Sequence, residues 1–71
     1  MKAITKEITK REHEIVNALS QGLSSSEISE KLFISVYTVQ THRKNAMEKT
    51  AARNAAHLIR RFYELGLIGQ S

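Results

Sequence analysis

Seventy-one residues make one domain, expected to span Met1–Ser71 with a folded part from Ile8 to Ile68 and only marginal stability alone. The absence of cysteine excludes disulfides and a cysteine metal site, which suits a reducing cytosol. No apolar run reaches the ~18 residues of a membrane span and no secretory segment follows Met1, so a cytoplasmic chain without a membrane partner is expected. The net charge of +4 is unevenly placed. Residues 1–42 balance Lys2, Lys6, Lys10, Arg11 and Lys31 against Glu7, Glu12, Glu14, Glu27 and Glu30. Residues 43–71 set Arg43, Lys44, Lys49, Arg53, Arg60 and Arg61 against only Glu48 and Glu64. Charge of this sign draws a chain toward polyanions without specifying which one, and an ordinary solvated surface is its plainer reading.

The pattern predicts an all-α fold of four helices. The first runs from Thr9 to Gln21: Thr9-Lys10-Arg11-Glu12 has the form of a capping box, with Ile8 placed to pack beneath it. Ile15, Val16, Ala18 and Leu19 form its buried face, and Gly22 supplies the left-handed residue that ends it. Ser24-Ser25-Ser26-Glu27 is a second capping box, opening a short helix from Ser25 to Leu32 whose Ile28 and Leu32 share a face. After a break at Phe33-Ile34-Ser35, Ser35 caps a third helix from Val36 to Lys49. The fourth runs from an Asn54 cap to Leu65 and is stopped by Gly66. Met1–Glu7 and Gly69–Ser71 are expected to fray.

Two short helices joined by so tight a turn must cross steeply, leaving the third helix projecting, free to enter a major groove. At ~100° per residue, its Val39 and Ala46 turn inward with Val36 and Met47 at the shoulder. Tyr37, Gln40, Thr41, Lys44 and Glu48 turn outward, and the first four suit base edges and phosphates. Arg43 falls on the inner arc, its stem packed and its guanidinium at the rim for a phosphate. His42 sits at the edge of the inner face, where a satisfied structural histidine competes with a phosphate contact. The helix-turn-helix pattern reads as a module for double-stranded DNA.

The fourth helix presents Ala55, Leu58, Phe62 and Leu65 as a core stripe. Ala56, Ile59 and Tyr63 form a second row that widens the apolar arc beyond the ~100° one core face requires. A second copy covering that row is the economical reading. The alternative leaves Ile59 at the core rim and Tyr63 as a tolerated exposed aromatic.

With these residues placed, the chain resembles the LuxR-type helix-turn-helix family, the effector domain of many bacterial transcription regulators. The matching stretches are Ile8-Thr9-Lys10-Arg11-Glu12, Glu14-Ile15, Gly22, Glu27-Ile28 and Leu32. They continue through Phe33-Ile34-Ser35, Thr38-Val39, His42, Asn45, Met47 and Lys49 to Gly66-Leu67-Ile68. The resemblance implies that the second and third helices form the DNA-reading unit and that the fourth pairs two copies on a two-fold site. By position it implies base contacts at Gln40, Thr41 and Lys44, joined by Tyr37. It implies phosphate contacts at Ser25 and Ser26, with Thr38, His42, Arg43 and Lys49 completing that set. RNA polymerase is a candidate protein partner. The chain departs from the family at Lys49-Thr50-Ala51-Ala52, where members usually carry Lys-Leu-Gly-Val, so the third helix loses its usual stop. Ser29 replaces the usual alanine where the second and third helices cross, adding a hydroxyl that can bond back along its own helix. With no aspartate anywhere, the chain has no phospho-aspartate receiver site. It reads either as a stand-alone regulator or, slightly preferred, as the C-terminal effector domain of a longer one.

The nearest alternative within DNA binding is a sigma-factor promoter-reading domain, which shares the Thr-x-Arg-Glu opening; the Gly66-Leu67-Ile68 ending favours the LuxR type. A helical protein-interaction module without DNA binding would carry apolar or acidic residues at 40, 41 and 44, and this chain does not. An enzyme is not expected: there is no glycine-rich phosphate loop, nucleophile motif or paired carboxylates. Glu12-His13-Glu14 tempts as a metal cluster, but consecutive helical residues do not face one point, and a solvated face is expected there. No metal or cofactor is assigned.

Overall fold

The computed structural model describes residues 7–69, and over these the chain forms four helices and no strand. They are α1 (Lys10–Ser20), α2 (Ser25–Leu32), α3 (Val36–Thr50) and α4 (Ala55–Glu64). Each start is made by the expected side chain. Thr9 and Ser24 accept from the third amide of their helices while Glu12 and Glu27 reach back, completing both capping boxes. Ser35 Oγ accepts from the Thr38 amide at 3.0 Å, and Asn54 Oδ1 from the His57 amide at 2.8 Å. The frayed ends expected at Met1–Glu7 and Gly69–Ser71 lie largely outside the described residues.

All four helices stop the same way, through an amide that reaches back five residues across a turn. The bonds are Leu23 to Ala18, Ile34 to Ser29, Ala52 to Met47 and Leu67 to Phe62, at 2.9–3.2 Å. The residue in the left-handed region is glycine at α1 (Gly22, φ 92) and α4 (Gly66, φ 73). At α2 and α3 it is Phe33 and Ala51, both with φ 58. The family's missing glycine therefore does not abolish the α3 stop; Ala51 makes the same turn against its Cβ preference. Thr50, which lies beyond the expected end of the helix, is fully buried, and its hydroxyl donates to the Ala46 carbonyl at 2.9 Å. Arg61 Nε donates to the Thr50 carbonyl at 3.0 Å, tying α4 to the end of α3. Left-handed backbone costs an L residue about 1–2 kcal/mol, and the extra freedom of an unfolded glycine returns about half of that. Ala51→Gly should therefore stabilise the domain by ~0.5–1 kcal/mol, read as a higher denaturant midpoint with unchanged slope.

Helices α1 and α3 each pack against all the others, whereas α2 and α4 do not touch. One core cluster joins Val16, Ala46, Leu58, Phe62 and Ile68, with Ile8 and Ile59 packed at its edge. The other joins Ile15, Ala18, Ile28 and Val39, and Leu19 contacts both. Leu65 departs from the expected core stripe. It follows the last helical residue and is 37% exposed, while the turn at Gly66 sends Leu67 and Ile68 into the space instead. Ser29 is buried at the α2–α3 crossing and its hydroxyl donates to the Ser26 carbonyl at 2.7 Å.

The Glu12-His13-Glu14 run is not a solvated face. Glu12 is 2% exposed and takes the Lys49 ammonium at 2.8 and 2.9 Å. His13 Nε2 meets the Leu67 carbonyl and its ring tilts against Phe62. Glu14 pairs with Arg11 at 3.0 Å. The three side chains thus point to three different partners.

Candidate nucleic-acid interface

Helix α3 divides cleanly by exposure. Val39, Ala46 and Thr50 are buried, while Tyr37, Gln40, Thr41, Lys44 and Glu48 are exposed. Because the inner row is fixed in two core clusters, the outer row is held at a defined angle with little rotational play. Among the described residues, Gln40 and Lys44 meet no carboxylate or side-chain partner. Thr41 donates its hydroxyl hydrogen to the Tyr37 carbonyl at 3.1 Å, so its one donor is turned back to the helix.

The expected phosphate set is brought together only in part. Ser26 is exposed and Ser25 half-buried at the N-terminus of α2. Glu27 has already taken the Ser24 amide there. Thr38, in the first turn of α3, shares a hydrogen bond with the Ser35 hydroxyl at 2.9 Å. His42 and Arg43 are half-buried. Lys49 is engaged within the fold. Its side chain is 16% exposed, and its ammonium is bound by both Glu12 oxygens and the Glu7 carbonyl. So engaged, this cation bridges α1 to α3.

That pairing also redraws the charge map. Of the basic residues after position 42, Lys49 is neutralised by Glu12, and Arg60 and Arg61 both reach Glu64. Among the described residues the cations without an acidic partner are Lys10, Lys31, Arg43, Lys44 and Arg53. The positive excess of the second half is thus shared out over the fold, and Arg43 and Lys44 are what remain on α3.

On α4, Ala56 is exposed, Tyr63 is 51% exposed and Ile59 is half-buried against the core. The second row is narrower than the helical wheel suggests, because Ile59 already gives part of its surface to its own domain. The backbone of Gly69 lies so close over the Tyr63 ring that a Cβ there would overlap it.

A four-helix domain with a helix-turn-helix at its centre and an uncommitted polar row on the second helix of that unit defines a class of DNA-binding module. The family model described as "Bacterial regulatory proteins, luxR family" matches residues 6–62, and the chain belongs to that family. It is 40% identical over 57 residues to the transcriptional regulatory protein UhpA of Escherichia coli K12, covering 80% of this chain and 29% of that protein. It is 44% identical over 52 residues to the CsgBAC operon transcriptional regulatory protein of the same organism, covering 73% and 24%. Among solved structures it resembles the response regulator ChrA of a heme-sensing two-component system. The TM-score there is 0.85 at 36% identity, covering 89% of this chain and 31% of that one. The chain spans less than a third of the length of these relatives. No helix among the described residues is long and apolar enough to cross a membrane.

Proposed function

We propose that this chain, acting as a single domain, reads double-stranded DNA by placing α3 in the major groove, as the effector part of a cytoplasmic bacterial transcription regulator. The observation that carries this reading is the exposed row Tyr37, Gln40, Thr41 and Lys44, set on a helix whose opposite face is buried. Gln40 suits the N6 and N7 of adenine, Lys44 the O6 and N7 of guanine, and the Thr41 methyl the C5-methyl of thymine. Ser25, Ser26, Thr38, His42 and Arg43 would hold the backbone and set the register without encoding sequence. Gln40→Ala or Lys44→Ala should cost roughly 1–3 kcal/mol on a duplex selected by this chain and little on random DNA. Arg43→Ala should weaken both about equally. Equal losses on both duplexes for Gln40→Ala and Lys44→Ala would contradict the assignment.

Two copies are proposed to pair through α4, setting their recognition helices on half-sites about one helical turn apart. Ala56 and Tyr63 form the exposed part of that surface and Ile59 its inner edge. One short helix buries little area, so pairing is completed on DNA, which supplies the effective concentration. The double variant Ile59→Glu, Tyr63→Glu should remain folded yet lose cooperative occupancy of a two-half-site duplex; retained cooperativity would reject α4 as the interface. RNA polymerase is the proposed protein partner of the DNA-bound pair.

A further inference from the structure

Nothing in the two core clusters calls for an aromatic at Phe33. It is 92% exposed, belongs to neither core cluster, and ends α2 at φ 58, where glycine is favoured. Its ring is therefore carried on the surface against its backbone preference. Immediately beyond it, the first turn of α3 exposes Val36 at 42% and Tyr37 at 80%. The row Gln40, Thr41 and Lys44 is thus approached through an apolar rim at the N-terminal end of the same helix.

The size of that rim decides what it fits. At about 150–250 Å² for each aromatic, the three side chains offer less than about 500 Å². A stable protein partner needs about 800 Å² on each side. A thymine C5-methyl in the major groove needs only one apolar side chain, and Val36 and Tyr37 of the rim open the same helix that carries the row proposed to meet the bases.

We propose that Phe33 is a further specificity-determining residue, its ring packed on the C5-methyl of a thymine at the edge of the half-site. This rests on the major-groove placement of α3. The probe is a duplex recovered from a randomised pool by this chain, with each thymine replaced in turn by deoxyuridine, which removes only the C5-methyl. One replacement should weaken wild-type binding about fourfold, the worth of one buried methyl group. That same replacement should cost Phe33→Gly nothing, yet still weaken Thr41→Ser, which separates it from any methyl contact by Thr41. Phe33→Gly should itself melt no lower than the wild type, because glycine suits the left-handed turn. The proposal is overturned if Phe33→Gly binds the recovered duplex as tightly as the wild type, the result a protein-docking role would give. It is also overturned if every deoxyuridine penalty persists in that variant. A Gln40→Ala logo that shifts while Phe33→Gly shows no coupling removes this proposal alone. An unchanged Gln40→Ala logo removes the reading of α3 and this proposal with it.

Discussion

Affinity for a selected duplex should fall on the order of 10³–10⁵-fold between 50 and 200 mM salt. Among the described residues the cations without an acidic partner are Lys10, Lys31, Arg43, Lys44 and Arg53. With Lys44 on a base, three or four positive groups on phosphates in each copy would let a pair neutralise roughly six to eight, and the slope of log affinity against log salt follows at about −0.9 per phosphate. The structure sharpens which residues set that slope. Arg43→Ala should reduce it by about one for each copy bound. Removing the Lys49 charge together with that of Glu12 should leave it unchanged, because the Lys49 ammonium is already neutralised within the fold. A titration without salt dependence would contradict the electrostatic account. A slope that tracks Lys49 as it tracks Arg43 would contradict the structural role given to that lysine.

The second large effect is on stability. Lys49→Met should cost about 3 kcal/mol, the lower end of the range for stranding one member of a buried ion pair, since the ammonium is 16% exposed. Against a total on the order of 5 kcal/mol for a domain this small, that is most of the margin. The loss comes from Glu12, left charged and 2% exposed without its partner. Adding Glu12→Gln should recover most of it, because glutamine keeps the bond to the Thr9 amide and no charge remains buried. Burial alone raises the Glu12 pKa. The Lys49 and Thr9 hydrogen bonds and the positive charge of Lys49 outweigh burial and hold it below the ordinary 4.5. A carboxylate depressed on folding contributes stability that is present above pH 4.5 and is lost as pH falls through its folded value. Acid unfolding of the wild type should accordingly steepen below that point, and the double variant should lose that component. A single Lys49→Met variant within 1 kcal/mol of the wild type would show that the pair contributes little.

Much of the fold was legible because its punctuation is local. Thr9, Ser24, Ser35 and Asn54 each cap a helix through an amide three residues away, and such spacings are visible in sequence. The outward row of α3 was legible for the same reason: once Val39 and Ala46 are inside, the helical period leaves Tyr37, Gln40, Thr41 and Lys44 outside. What was not legible joins distant parts of the chain. Glu12 already had a complete local explanation as the return arm of a capping box, which hid its pairing with Lys49, 37 residues on. Leu65 fits the core stripe only if the helix continues, and it ends one residue earlier. The stops at Phe33 and Ala51 carry no glycine signal, because residues that ordinarily avoid the left-handed region occupy it there. The sequence likewise showed where positive charge lies along the chain, but not which cations the fold neutralises.

The most direct test of the central proposal, that α3 reads bases from the major groove, is selection from a randomised duplex pool by the wild type and by Gln40→Ala side by side. The wild type should enrich a roughly two-fold symmetric sequence, and Gln40→Ala should relax preference at one position in each half-site while keeping the rest. An identical sequence logo from both proteins would contradict the account.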